Sequence, residues 1–76
     1  MDSQRIDILL HPEDVGFSTS VAQLPGVVSQ GATRVGAIAN TLEALTEAIL
    51  AYAASNIPVP WVETETLTTG NPNKGD

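Results

Sequence analysis

The sequence predicts an α+β domain in which a three-stranded antiparallel sheet is followed by one long helix and a fourth strand. Three observations lead to this βββαβ order. Apolar and polar residues alternate over residues 5–10 and 17–22, the apolar period becomes helical after Thr33, and turn-forming residues separate the elements. The chain of 76 residues is long enough for one small domain, predicted over residues 1–67, with a disordered polar tail over residues 68–76.

The first two strands form a predicted hairpin. Residues 5–10 place their isoleucines and Leu10 on one face, and residues 17–22 alternate in the same way with many β-forming side chains. The connection at residues 11–16 contains Pro12 and Gly16, which are typical of turns. Because this connection is short, the two strands should pair antiparallel.

The segment from residue 24 to residue 33 is the most informative part of the chain. Pro25 fixes φ at the second turn position, and Gly26 suits the positive φ that a type II turn needs at the third. A short third strand is predicted at residues 27–29, and Thr33 is placed to cap the helix that follows. The structural motif therefore comprises Leu24, Pro25, Gly26, Gln30, Gly31 and Thr33.

The helix is predicted from Thr33 to about Ser55, with one apolar stripe that should face the sheet. The alanines should line a flank away from the core, where they would permit close approach of another chain, although alanine is also simply the best helix former. The stripe comprises Val35, Ile38, Leu42, Leu45, Ile49 and Tyr52, and the flank comprises Ala37, Ala44, Ala48 and Ala51.

After the helix, Pro58 and Pro60 exclude a helical or central-strand conformation, so residues 56–60 should be an extended crossover. Residues 61–67 are then predicted as the fourth strand. Trp61, at its start, is expected either to close the core or to anchor an interface.

Composition narrows the function. Nine acidic residues against three scattered basic ones give a net charge of −6, which argues against direct nucleic-acid binding and suits a basic protein partner. An acidic surface also simply keeps a small protein soluble. There is no cysteine for a disulfide or thiolate site, so self-association into a dimer or tetramer is the expected source of added stability. No apolar run suggests a signal peptide or a membrane span, and a cytoplasmic protein is expected.

With these motifs in place, residues 6–61 resemble the HicB-like antitoxin family, in which Leu-Pro-Gly, Gln-Gly and a helix-opening Thr have the same spacing. The resemblance implies a fold similar to a truncated ribonuclease H or double-stranded-RNA-binding domain. The positions that carry it are Leu24, Pro25, Gly26, Ser29, Gln30, Gly31, Thr33, Asn40, Glu43, Ala44, Pro58 and Pro60.

The resemblance implies an antitoxin that binds a small basic HicA-type messenger-RNA interferase and covers its catalytic and RNA-binding surface. Many family members continue into an operator-binding module, which is not expected here. Gly36 and Ala32 also stand where the family usually has Glu and Asp, so the reciprocal helix cap is lost. A stand-alone homo-oligomeric structural or regulatory domain of the same fold is the alternative.

Candidate partner-binding residues are the acidic turn residues Glu13 and Asp14, the helix pair Glu43 and Glu47, and Trp61. The two helix glutamates form an i, i+4 like-charge pair that is mildly unfavourable for the helix. An ordinary solvated helix face is the simpler interpretation of that pair.

No catalytic, cofactor or metal site is predicted. The lone His11 is interpreted as a solvated turn residue, and no serine has a suitably placed histidine to activate it. Asp7 lies where a ribonuclease H-like enzyme would place a metal-binding carboxylate, so a minimal metal-dependent nuclease is kept as a third hypothesis. The polar face of a half-buried strand explains Asp7 more simply.

Overall fold

A computed structural model describes residues 3–65 and shows an α+β fold, as predicted. Strands β1 (Ile8–Pro12), β2 (Phe17–Val21) and β3 (Val28–Gly31) form an antiparallel sheet in the order β1-β2-β3. Helix α1 (Arg34–Ala54) lies across one face of that sheet. It contacts β3 most extensively and β1 least, so the helix is displaced toward the β3 side of the sheet.

The β1–β2 hairpin confirms the predicted pairing, but β1 begins three residues and ends two residues later than predicted. Ladder bonds join Ala22 N–H to the Asp7 carbonyl and Glu13 N–H to the Gly16 carbonyl, both at 2.9 Å. Odd-numbered residues of β1 therefore bond to β2, and the backbone of Pro12 faces the free edge, where its missing N–H costs no ladder bond. Gly16 closes the turn with a φ of 83°, a conformation that suits glycine.

The Leu-Pro-Gly segment forms a turn, but the predicted type II geometry is wrong. Val27 N–H donates to the Leu24 carbonyl at 2.9 Å across Pro25 and Gly26. Within residues 3–65, Gly16 is the one glycine with a positive φ, so Gly26 has the ordinary backbone conformation that any residue adopts. Proline at the second position is equally compatible with a type I turn, which needs no positive φ.

The helix begins and ends close to the predicted residues. Thr33 is the N-cap, and its Oγ1 accepts a hydrogen bond from Gly36 N–H at 3.0 Å, as expected. Asn56, with φ 57°, ends the helix in the left-handed region before Pro58. β3 lies slightly later than its predicted range of residues 27–29.

The predicted rotation of the helix about its axis is correct only in part. Leu45 of the predicted stripe is buried and Ile49 packs against the core, but Val35 and Leu42 are exposed. Ala37 and Thr41 instead lie fully buried against the sheet. Three of the alanines assigned to an outer flank belong to the packed face: Ala37, Ala44 and Ala48.

Close approach between β3 and the first helical turn explains this rotation. A Cβ atom built on Gly31 would lie 2.5 Å from the backbone nitrogen of Ala37. Only small side chains fit between elements this close, so the helix presents alanine and threonine to the sheet. Thr41 also hydrogen-bonds to Thr19 of β2, which satisfies two buried hydroxyls.

The small core is completed by the loop before β3 and by the chain after the helix. Its buried apolar members are Val21, Leu24, Val27 and Leu45, with Val59 and Trp61 packed against them. Residues 61–65 form no strand, and residues 66–67 lie outside the described part, so the fourth strand is not confirmed. The tail predicted at residues 68–76 also lies outside the described residues.

Gln23 joins the two ends of the described chain. Its side chain is 1% exposed, and its amide oxygen accepts from Asp7 N–H at 2.8 Å. Its amide nitrogen donates to Asp7 Oδ2 at 2.6 Å and to Thr64 Oγ1 at 3.0 Å. Its backbone carbonyl accepts a hydrogen bond from Val62 N–H at 2.7 Å. One buried residue therefore bonds both to the residue that precedes β1 and to the segment that follows the helix.

Candidate functional site

The outward surface of α1 carries an exposed apolar row, and two of its members, Val35 and Leu42, were predicted to face the sheet. Val35 is 77% exposed, Leu42 is 48% exposed and Leu50 is 62% exposed. We call this row the outer stripe and include the exposed Ala39 and Thr46 that lie between the three large side chains. It extends about 22 Å along the helix and contains no charged residue.

Glu43 and Glu47 form an acidic row beside the outer stripe. Both are exposed, and each follows a stripe residue directly in the sequence, so the acidic row flanks the stripe on one side of the helix. Neither glutamate forms an ion pair within residues 3–65. Asn40 continues the same flank, and its Nδ2 donates to the carbonyl of Gln30 in β3 at 2.8 Å.

That last bond protects part of a sheet edge. Because Val21 N–H bonds to the Val27 carbonyl, ladder bonding in β3 falls on odd-numbered residues, and the backbone groups of Val28 and Gln30 face outward. The Asn40 side chain donates its hydrogen bond to one of those outward carbonyls, that of Gln30. Charged or capped edges of this kind discourage pairing with another strand.

The acidic turn occupies the tip of the β1–β2 hairpin. Glu13 accepts a hydrogen bond from Ser18 Oγ at 2.8 Å, and Asp14 is exposed beside it. The turn borders an open cleft of about 620 Å³ at the end of β3, and Glu13 and Asn40 both line it. The cleft is lined by Glu13, Val15, Phe17, Ser29, Gln30, Gly31, Ala32 and Asn40.

Trp61 does not join these acidic residues. Its side chain is half-buried and packs against the core cluster. Its backbone N–H donates to the Val59 carbonyl at 2.8 Å. This packing agrees with its expected role of closing the core, and its role at an interface stays a prediction.

Asp7, the residue of the nuclease hypothesis, is occupied by protein partners. Arg5 Nε and Gln23 Nε2 both donate to its Oδ2, at 2.8 Å and 2.6 Å. These two hydrogen bonds lower the pKa of the Asp7 carboxyl below its ordinary value, the Arg5 bond more strongly, and partial burial opposes them. No three histidine or acidic side chains of residues 3–65 lie close enough together to hold a metal ion.

His11 is exposed, as predicted, but it belongs to β1 and not to the turn. Its strand partner is Ser18, and its register places it on the sheet face opposite α1. Polar Ser18 and Ser20 also occupy that face, which the helix leaves uncovered.

The charge balance of the described part is strongly acidic. Seven of the nine acidic residues lie within residues 3–65, and only Asp7 forms an ion pair there. The two described arginines are both engaged: Arg5 with Asp7, and Arg34 over the ring of Phe17 at 5.4 Å from its centroid. Six carboxylates therefore remain without a basic partner in the described part of the chain.

The sequence did not predict the outer stripe, because Val35 and Leu42 were assigned to the core and Leu50 was assigned to neither face. A second row of small residues, at positions 37, 41, 44 and 48, could have indicated the correct face of the helix. Gly31 lies just before this row in the sequence. Small residues at helical spacing mark a face that packs closely on a neighbouring backbone.

Comparisons of this chain with models of known protein families, with curated proteins and with solved structures found no match. Among the described residues, no helix combines the length and apolar content required to cross a bilayer.

Proposed function

We propose that this chain is a protein-binding domain that acts as an antitoxin, covering the active surface of a small basic RNA-cleaving toxin of the HicA type. The observation that carries the proposal is the exposed apolar stripe of α1 beside carboxylates that have no basic partner in residues 3–65. The spacing of the HicB-like motif supplies the identity of the partner class.

The two parts of this surface have separate roles in binding. Uncompensated carboxylates attract a basic protein over several ångströms and raise the association rate, an effect that weakens as salt screens the charges. Burial of Val35, Leu42 and Leu50 against the partner would then slow dissociation. Inhibition of this kind requires no chemistry from the chain.

A basic surface that binds RNA phosphates is also the surface that an acidic protein fits best. Covering it would exclude RNA from the toxin while leaving the toxin folded. The acidic turn and the acidic row lie on different elements, so they can contact separate basic regions of one partner.

The alternative function is a stand-alone homo-oligomer with no toxin. It is favoured by the same apolar stripe and by the outward backbone groups of β1, which have no ladder partner among the described residues. A second copy could cover both features.

Growth rescue tests the proposal. The chain is co-expressed with the product of each neighbouring gene that encodes a small basic protein, and growth and complex formation are measured. Rescue of growth, with a complex recovered by affinity purification, is the expected result. Failure of both, with a light-scattering mass above that of a monomer, would favour the stand-alone oligomer.

A further inference from the structure

We infer that the outer stripe of α1, together with Glu43 and Glu47, is the docking surface for one amphipathic helix of a basic partner, with an apolar row flanked by lysine or arginine. The inference rests on the proposed function and specifies where its partner binds. The docking surface consists of three exposed large apolar residues and two exposed carboxylates that form no ion pair within residues 3–65.

The shape of the stripe favours a helical partner. Val35, Leu42 and Leu50 are separated by seven and eight residues, so their side chains follow one nearly straight line of about two turns per step. Alanine and threonine between them leave shallow spaces into which the side chains of a second helix can pack. Peptide helices that bind such surfaces use apolar residues at the same periodicity.

The sequence of residues 66–76 does not match the apolar character of the stripe. Residues 66–76 contain one large apolar side chain, Leu67, among polar residues, glycines and a proline. A single leucine cannot fill a row that exposes three large apolar side chains over about 22 Å.

Charge discriminates between a second copy and a basic partner. In a two-fold antiparallel pair of α1 helices, the same flank of each helix lies side by side, so Glu43 and Glu47 of one copy would face those of the other. A partner with lysine or arginine beside its apolar row turns that repulsion into attraction. The acidic row therefore disfavours an antiparallel second copy and favours a basic occupant.

A synthetic peptide serves as the probe. It has about 18 residues, roughly 27 Å of helix, with leucines at three- and four-residue spacing and lysines on both sides of that row. One control peptide has the same composition with the leucines scrambled, and a second replaces each lysine by glutamate. Binding to the full chain is measured by amide chemical shifts and by fluorescence anisotropy.

The critical variant is Leu42→Gln with Leu50→Gln. Its matched control is Leu9→Gln with Val28→Gln, because those residues are 46% and 62% exposed, against 48% and 62% for the first pair, and lie on the opposite face of the sheet. Both double variants change exposed residues, and retention of the wild-type melting temperature verifies their folding.

The patterned lysine peptide should shift amides of α1 along the outer stripe. Its affinity should fall at least about tenfold in the Leu42/Leu50 variant, should not change in the Leu9/Val28 variant, and should weaken as salt rises. The scrambled and glutamate peptides should bind much more weakly. Equal binding to both variants, shifts confined to the sheet, equal binding of the glutamate peptide, or no binding would each overturn the inference.

Self-association is measured on the same samples. A dimer of the wild-type chain that the Leu42/Leu50 substitutions dissociate would identify a second copy as the occupant and overturn the inference. Growth rescue separates this result from the proposed function. Rescue that survives the Leu42/Leu50 substitutions would refute the docking surface alone, whereas peptide binding without rescue would refute the antitoxin function alone.

Discussion

Gly31 and Ala37 bring the backbone of β3 into direct contact with the first turns of α1. A Cβ atom on Gly31 would lie 2.5 Å from the Ala37 nitrogen and 2.7 Å from its Cα. Atoms at those separations cannot coexist, so the contact requires glycine in the strand. It also fixes which face of the helix meets the sheet, and therefore which apolar residues remain outside.

Gly31→Ala should destabilise the protein, because the added methyl group must push β3 and α1 apart. Overpacking of this kind typically costs about 1–3 kcal/mol, which in a domain this small lowers the melting temperature by several degrees or more. Gly26→Ala is the matched control, since its Cβ would meet nothing within 4 Å and its backbone needs no positive φ. Circular dichroism melts of both variants test the prediction, and equal melting temperatures would contradict it.

Local patterns predicted the elements of this fold well. The alternation in residues 17–22 and the cap at Thr33 depend only on neighbouring residues, and the structure confirms both. The rotation of α1 depends on a contact between β3 and the helix, which a helical apolar period does not report. The close approach at Gly31 turns the small residues Ala37 and Thr41 toward the sheet, and Leu45 joins them in the core while Val35 and Leu42 remain outside.

The same distinction applies to the candidate site. Glu13, Asp14, Glu43 and Glu47 are exposed as predicted, because isolated carboxylates in turns and on helix surfaces rarely find buried partners. Trp61 packs against the core, and the outer stripe was missed, because both outcomes depend on how distant elements pack.

Substitution of Gln23 should reveal how much stability its hydrogen bonds to Asp7 and Thr64 contribute. Gln23→Met keeps the volume of the side chain but leaves the Asp7 N–H without its buried acceptor. The expected cost is about 1–3 kcal/mol. Gln30→Met, at an exposed position, is the control and should change stability little. Chemical denaturation measures both, and a Gln23→Met variant as stable as Gln30→Met would show that the side-chain hydrogen bonds of Gln23 contribute nothing to stability.

Asp7 should make stability depend on pH in acid. Its pKa in the folded chain is lowered from 3.8, chiefly by the Arg5 hydrogen bond and then by Gln23, so folding favours the ionised carboxyl. This stabilisation is fully present above the ordinary pKa and is lost as the pH falls through the lower folded value. In Asp7→Asn, the loss of stability as the pH falls below the ordinary aspartate pKa should be smaller than in the wild type.

Gln23→Glu provides a second pH test with the opposite sign. It places a carboxylate beside Asp7 Oδ2, where the wild-type amide donates at 2.6 Å. Two like charges at this distance disfavour joint ionisation, so the variant should be least stable near neutral pH and should recover as acid protonates one carboxyl. Melting temperatures measured from pH 7 to pH 4 give the comparison, and a variant that loses stability over that range would refute the assignment of these contacts.

The final prediction compares the two acidic patches in binding to a basic partner. Glu43→Lys with Glu47→Lys reverses the row beside the outer stripe, and Glu13→Lys with Asp14→Lys reverses the hairpin turn. Each pair changes the net charge by the same amount, so any difference between them reports position. Reversal of the helix row should slow association with the basic toxin more than reversal of the turn, because the row lies beside the apolar contact. Dissociation should change less in both. Stopped-flow association rates at low and physiological salt measure the difference, and equal slowing by both patches would mean that only net charge attracts the partner.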